Sequence, residues 1–291
     1  MTSRSDSYFI EATPDHIRAF ADFRLPFEPK GEHRALRDDL RRALAGLHDP
    51  GSAILTARYT SAGDAFVDAE NVLLYNVGGR DLGRLTRNGV RVERAFGDPR
   101  PVDGRRFAHL SEYGLATASD VGPVVARPVA TLAFDLPRLS SDTKPHVFWL
   151  AARSGRFTRL ASVILDAEPF ALDLVVRSPG ALSASSVVKP ILDGVIASLQ
   201  FMPDAREGGD AERRLAARLG LPVSEIVAGL RDSSRSVLGP GRLIHSHWKF
   251  IAWNPADDRC HRAQMLLAPA VGDDVTVEVH IGGLDASTGD S

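Results

Sequence analysis

Two acidic residues precede an apolar run in FVDAENVLLYN, residues 66–76. The pattern predicts a strand over 66–77, on which Asp68 and Glu70 project from the same face with side chains about 6–7 Å apart. Two carboxylates at that spacing can share a hard divalent cation such as Mg²⁺, which takes oxygen ligands. The alternative interpretation is a solvated strand end in front of the buried run Val72–Leu74.

A second group of polar residues lies in LIHSHWKFIAWNPADDRCH, residues 243–261. The pattern predicts a strand over 243–253 with a buried and a polar face. The buried face would carry Ile244, Ser246, Trp248, Phe250 and Ala252. The polar face would carry His245, His247 and Lys249. The NPADD turn then delivers Asp257 and Asp258, two further candidate ligands for Mg²⁺.

The histidines of this segment allow a different metal. His245, His247 and His261 could bind a transition metal, because neutral imidazole is a common ligand. Cys260 and His261 begin a strand that we expect to pair antiparallel with the strand at 243–253. Since strand neighbours face opposite ways, His261 is not placed to activate Cys260 as a nucleophile.

The segment SASSVVKPILDGVIASL, residues 183–199, predicts an amphipathic helix over 186–200. Lys189 and Asp193 share a face at i, i+4, so an ion pair between them is a sufficient structural explanation. With Pro190 in the first turn and a preceding serine as N-cap, Lys189 would lie at the helix N-terminus. Free backbone N–H groups there bind anions such as phosphate.

This segment resembles the RusA-type crossover-junction endodeoxyribonucleases. That family carries Asp-x-Asp-Asn, two apolar residues, Lys-Pro and an Asp four residues after the Lys, followed later by a Trp and an Asp-Asp pair. The matching positions in this chain are Ser183, Ser185, Ser186, Lys189, Pro190, Asp193, Trp253, Asp257 and Asp258. The resemblance covers residues 183–268, about a third of the chain.

The resemblance implies an α+β fold, nucleic acid as substrate, Mg²⁺ as cofactor and catalytic roles for Lys189, Asp193, Asp257 and Asp258. In the family the leading acids help to bind Mg²⁺, whereas this chain has serine at all three positions. The run Asp68-Ala-Glu70-Asn71 resembles the acidic half of the motif, but no lysine follows it.

Other catalytic motifs are absent from the sequence. There is no phosphate-binding GxxxxGK[ST], dinucleotide fingerprint, HExxH or GxSxG. The run AARLGLPVSEIVAGL, residues 216–230, has the small-residue spacing of a helix-turn-helix. Its second helix has Glu225 and no Lys or Arg over 223–230, so we interpret the pair as packing on the core.

The periodicity predicts an α+β fold with mixed or antiparallel sheets, packed helices and a helical insertion near 201–232. Strands are predicted at 53–60, 66–77, 89–96, 127–135, 146–152, 168–177, 243–253, 261–268 and 274–281, and helices at 34–47, 186–200, 211–219 and 223–231. A β-rich region over 1–178 precedes an α+β region over 179–283, in two domains or one continuous domain. The tail 284–291 is expected to be disordered.

The composition is that of a globular protein, with 44% hydrophobic and 25% charged residues among 291. One cysteine and no apolar signal segment indicate a cytoplasmic protein without an intramolecular disulfide. No apolar run reaches the roughly 18 residues of a membrane helix, so no membrane partner is expected. A net charge of −2 provides no global attraction to nucleic acid, and the sequence allows a homo-oligomer.

Two functional hypotheses follow. In the first, the chain is a divergent Mg²⁺-dependent phosphodiesterase or endonuclease related to junction resolvases. Its metal ligands would be Asp68, Glu70, Asp257 and Asp258, and Lys189 would hold a phosphate oxygen. In the second, the chain has lost the acidic site and binds a ligand or a partner without catalysis.

Overall fold

The computed structural model describes residues 2–63, 67–99, 105–125, 127–165, 167–248 and 250–284. The strands are β1 (Thr2–Arg4), β2 (Tyr8–Ala12), β3 (His16–Ala21), β4 (Ala53–Ser61), β5 (Gly89–Phe96), β6 (His109–Thr117), β7 (Ala130–Leu136), β8 (Arg156–Arg159), β9 (Phe170–Ser178), β10 (Ile244–His247), β11 (Phe250–Trp253), β12 (Cys260–Pro269) and β13 (Val275–Gly283). The α-helices are α1 (Glu32–Ala45), α2 (Arg80–Leu85), α3 (Ala118–Val121), α4 (Pro145–Ser154), α5 (Ala184–Ser198), α6 (Asp210–Leu219) and α7 (Val223–Arg231).

The chain divides into two compact units, and each draws on several segments. The first unit comprises Met1–Val124, Gly180–Lys189 and His261–Ala268. The second comprises Val125–Pro179, Pro190–Cys260 and Pro269–Ser291. The predicted α+β class is confirmed, because helices pack on sheets that contain both parallel and antiparallel pairs. In the described part of the chain, no helix is both long and apolar enough to cross a membrane.

The sheet of the first unit has the strand order β1-β2-β3-β6-β4-β5-β12. It is mixed, because β4 runs parallel to β5 while the other pairs are antiparallel. Apolar residues alternate with polar ones along β5, so that Val90 and Val92 are buried while Arg91 and Glu93 are half-buried. Leu36, Leu40 and Leu44 of α1 add one apolar helix face to this core.

The second unit contains an antiparallel sheet of order β9-β13-β7-β8 and a separate hairpin of β10 and β11. The helices predicted at 211–219 and 223–231 are confirmed as α6 and α7, and they pack on a core that includes Trp149. Gly194 of α5 lies against α4, where an added Cβ would come within 2.5 Å of the Pro145 carbonyl oxygen. Glycine is therefore required at this helix–helix contact.

Two strand predictions are wrong, and both concern short apolar runs, which periodicity cannot assign to strand or helix. Residues predicted as a strand over 66–77 form a helical turn and then a π-helix, Asn71–Tyr75, within the described residues 67–77. Residues predicted as a strand over 146–152 form α4, which begins at Pro145, a residue favoured in a first helical turn.

The strand predicted over 243–253 is two strands joined by a tight turn. Trp248 lies in that turn with a φ of 53°, and His247 pairs with Phe250. The turn reverses the chain, so Trp248 and Phe250 are exposed rather than buried as predicted. The predicted pairing of 261–268 with this strand is also wrong, because β12 pairs with β5. Lys249 and the tail 285–291 lie outside the described residues.

Candidate active site

Asp68 starts the helical turn that leads into the π-helix. Its backbone carbonyl accepts the N–H groups of Asn71 and Val72 at 3.1 and 3.3 Å, and the Asn71 side-chain amide donates to its carboxylate at 2.6 Å. The Tyr113 hydroxyl donates to the carbonyl of Leu73 at 3.0 Å inside the core. The bond from Asn71 orients the Asp68 carboxylate, and the bond from Tyr113 of β6 attaches this segment to the sheet.

Lys189 comes from the first half of α5. The helix starts at Ala184, so Pro190 is its seventh residue and the prediction that Pro190 lies in the first turn is wrong. The Thr86 hydroxyl accepts the N–H of Ser185 at 3.1 Å, and the Thr86 carbonyl accepts the N–H of Ala184 at 3.0 Å. Buried Thr86 thus supplies capping acceptors to the helix and places Lys189 in its second turn.

The structure brings Asp68, Glu70 and Lys189 together, and we call them the carboxylate–lysine cluster. The Lys189 ammonium lies 3.1 Å from Glu70 Oε1 and 3.4 Å from Asp68 Oδ2. The carboxylates of Asp68 and Glu70 each offer an oxygen within 4.8 Å of the other. Glu70 is only 5% exposed, whereas the side chains of Asp68 and Lys189 are about a quarter exposed. One side of the cluster is therefore buried and the other faces solvent.

A buried arginine stands next to this cluster in the first unit. Arg94 of β5 donates to the carbonyl of Val67, the residue before Asp68, at 3.4 Å, and its guanidinium lies 4.6 Å from the Phe96 ring centroid. The His261 ring also contacts Phe96, with centroids 5.1 Å apart. Burial, together with the positive charges of Arg94 and Arg262, lowers the pKa of His261 to about 4. His261 is consequently a neutral imidazole at pH 7.

The other predicted site residues belong to the second unit. Asp193 is buried in α5, one turn after Lys189. Asp257 and Asp258 are half-buried in a 3₁₀ turn, Asp257–Arg259, that leads into β12. This turn is fixed by Arg259, whose guanidinium donates to the carbonyls of Leu165, Glu168 and Leu238.

The histidines lie on two elements. His245 and His247 project from the same face of β10, and His261 is the second residue of β12 and belongs to the first unit. A transition-metal site formed by these three histidines stays a prediction.

The sequence suggests Lys189 and the acidic segment as parts of one site, but it does not predict a direct contact between them. No lysine follows DAEN in the sequence, and the lysine that contacts this segment is Lys189, which lies 121 positions after Asp68. The i, i+4 spacing instead predicts an ion pair between Lys189 and Asp193. Its ion pairs with Asp68 and Glu70 depend on how α5 packs in the first unit, which no local pattern reports.

No protein-family model matches the chain, and no curated protein or solved structure is significantly similar to it. Function therefore has to be argued from the site alone.

The cluster has the ligand chemistry of a hard cation site. Two oxygens that share one Mg²⁺ at 2.0–2.1 Å lie at most about 4.2 Å apart. The carboxylate oxygens of Asp68 and Glu70 lie within 4.8 Å, so a closing movement of about 0.6 Å or less suffices. The Lys189 ammonium is a third group that can balance charge or hold an anion at the same place.

Proposed function

We propose that this chain is a divergent metal-dependent phosphodiesterase that acts on nucleic acid, related to the junction resolvases. The observation that carries the proposal is the carboxylate–lysine cluster, in which Lys189 lies 3.1 Å from buried Glu70 and 3.4 Å from Asp68. In the cluster, Lys189 of the Lys-Pro pair lies beside two acids of the DAEN run, from which it is distant in the sequence.

In this proposal Asp68 and Glu70 hold Mg²⁺, which when bound supplies an activated water and stabilises negative charge on phosphate. Asn71 holds the Asp68 carboxylate in orientation through its 2.6 Å hydrogen bond. Lys189 donates to a non-bridging phosphate oxygen from the solvent side of the cluster. The positive charge of Lys189 also offsets the free-energy cost of keeping the Glu70 carboxylate ionised in a buried position.

The test is cleavage of labelled four-way junctions, single-stranded DNA and RNA by the purified chain, with Mg²⁺ or Mn²⁺ and with EDTA. We expect metal-dependent cleavage that falls at least about 100-fold in Asp68→Asn and in Glu70→Gln. Asp142→Asn, a change at an exposed carboxylate outside the cluster, is the matched control. Asp257→Asn and Asp258→Asn test whether these residues complete the ligand set. No cleavage of any substrate would contradict the proposal.

A second candidate function, non-catalytic binding of a ligand or partner, has an observation of its own. The serines that replace the leading acids form a hydroxyl chain, with Ser183 bonded to Ser185 at 2.8 Å and to Thr86 at 3.0 Å. These hydrogen bonds lie at the start of α5 and need no metal. Absence of both metal binding at Asp68 and Glu70 and cleavage of any nucleic acid would favour this second function.

A further inference from the structure

The β10–β11 hairpin presents its two faces very differently. Ile244 is buried, and Ile251 and Trp253 pack on the core of the second unit. The opposite face carries His245, His247 and Phe250, and the turn carries Trp248. We call these four residues the aromatic platform. Trp248 is 85% exposed and Phe250 is 64% exposed, so two large rings face solvent on a hairpin whose other face is anchored.

The backbone at the tip of this hairpin is strained. Trp248 has a φ of 53°, in the left-handed region that bulky residues rarely adopt. A glycine or asparagine would fit the turn without this cost. Strain of this kind persists at sites where the side chain has a use other than stability. The fold therefore keeps a large ring exposed at a position where local energetics favour a small residue.

Basic side chains lie on the helix that supports the hairpin. Ser246 donates to Asp210 of α6 at 2.6 Å, and Asp210 is ion-paired with Arg214 at 2.8 Å. Arg213 and Arg218 of the same helix are exposed, and Arg213 also lies 3.9 Å from Asp210 and donates to the Gly208 carbonyl at 2.7 Å. Glu212 is buried and accepts the N–H of Arg206, so its charge does not face solvent with the arginines.

Although burial has the larger effect on the pKa of the neighbouring His146, Arg218 of α6 also acts on that residue. Burial, and then the charges of Arg218 and Lys144, lower the pKa of His146. Exposed rings on a hairpin that packs against an arginine-bearing helix are suited to unpaired nucleotides, since bases stack on aromatic faces while arginine takes phosphate. Lipid is a poorer match, because the platform contains two histidines and no aliphatic side chain.

We propose that the aromatic platform and the arginines of α6 bind single-stranded nucleic acid, with an unpaired base stacked on Trp248. The inference rests on the proposed function, whose substrate it narrows to nucleic acid with unpaired nucleotides. Bases inside a duplex are already stacked and cannot reach the ring at the hairpin tip.

The experiment measures binding of fluorescein-labelled dT20 and of a matched duplex by fluorescence anisotropy in EDTA, where metal-dependent cleavage is absent. We expect the single strand to bind more tightly than the duplex. Trp248→Ala should weaken binding of dT20 roughly 5- to 150-fold, the range for loss of one stacked base. Trp248→Gly suits the left-handed backbone and should lose as much, whereas Trp248→Phe should retain most of the binding.

Phe27→Ala is the matched control, because Phe27 is also an exposed ring, 60% exposed, but lies in the first unit away from α6 in sequence. It should bind dT20 within about twofold of the wild type. Combined Arg213→Ala and Arg214→Ala should reduce the salt dependence of binding by about one to two phosphate contacts.

The inference is overturned if the wild type does not bind dT20, or if Trp248→Ala binds within twofold of it. It is also overturned if Trp248→Ala abolishes binding to phosphatidylserine vesicles while binding of dT20 is unchanged. Hydrolysis of bis(p-nitrophenyl) phosphate by the wild type with Mn²⁺ separates this inference from the proposed function, because that substrate has no base to stack. If the chain hydrolyses bis(p-nitrophenyl) phosphate but binds dT20 equally well without Trp248, the inference alone is overturned. If binding of dT20 depends on Trp248 but no hydrolysis occurs, the proposed function alone is overturned.

Discussion

The carboxylate–lysine cluster and the aromatic platform use their side chains in opposite ways. In the cluster, opposite charges meet at 3.1 and 3.4 Å, and Glu70 is almost fully buried. On the platform, Trp248 and Phe250 are mostly exposed on one face of an anchored hairpin. The cluster is held together by its own ion pairs before a ligand arrives, whereas the platform is a surface that gains contacts only on binding.

Because of this difference, substitutions in the two regions should have different effects on stability and function. A buried carboxylate depends on its cation, so changes in the cluster should affect folding and activity together. Exposed rings contribute little to folding, so changes on the platform should affect binding alone. Each prediction below tests one side of this contrast.

The largest effect on stability is expected for Lys189→Met. The variant removes the ammonium that lies 3.1 Å from Glu70 and leaves that carboxylate in a buried position. Loss of one partner of a buried ion pair costs about 3–5 kcal/mol, and the quarter exposure of Lys189 reduces this to about 2–3 kcal/mol. Urea denaturation measures the change. Lys30→Met, at an exposed position, should stay within about 0.5 kcal/mol, and an equally small effect of Lys189→Met would show that the cluster is ordinary surface.

A smaller, pH-dependent effect is expected from His261 in the first unit. Its pKa is about 4 when folded, below the ordinary value of 6.5, chiefly because of burial and then the charges of Arg94 and Arg262. Between these two values the unfolded chain binds a proton that the folded chain does not. Stability should therefore fall as the pH drops from 6.5 towards 4, by about 1 kcal/mol after allowance for the half-exposed ring.

The urea midpoints of the wild type and of His261→Gln at pH 7 and pH 4.5 measure this contribution. The wild type should lose about 1 kcal/mol more than the variant over this range. Other histidines titrate equally in both proteins, so the difference isolates His261. An identical loss in both would contradict the assigned pKa.

The smallest effect on stability is expected for Trp248→Ala. The ring is 85% exposed, so its removal should change the free energy of unfolding by about 0.5 kcal/mol or less. Trp149→Ala is the contrasting change in the same unit, because Trp149 is buried and its loss should cost about 3–5 kcal/mol. A loss of several kcal/mol in Trp248→Ala would show that the platform is structural.

Elements with clear periodicity were predicted well from the sequence. The charged amphipathic pattern of 34–47 corresponds to α1, and the alternation at 89–96 corresponds to β5. The runs at 66–77 and 146–152 were assigned to strands because a short apolar run fits either structure. In the run at 66–77, hydrogen bonds to the Asp68 carbonyl favour a helix. In the run at 146–152, the preceding Pro145 favours the start of a helix.

The site could be predicted only in part. The residue types of Asp68 and Glu70 indicated a metal site, although the strand geometry used to support it was wrong. The contact of Lys189 with both acids joins residues 121 positions apart and arises from the packing of α5. The exposure of Trp248 follows from the turn in which it lies, and no glycine, proline or asparagine marks that point of the sequence.

The most direct test of the central claim, that Asp68 and Glu70 hold a divalent cation beside Lys189, is a calorimetric titration of the purified chain with Mn²⁺ and Mg²⁺. The account predicts one strong site in the wild type that is lost in both Asp68→Asn and Glu70→Gln and kept in Asp142→Asn. It also predicts that Lys189→Met retains the site, because the cation can replace the ammonium between the two carboxylates. Absence of metal binding in the wild type, or unchanged binding in Asp68→Asn and Glu70→Gln, would contradict it.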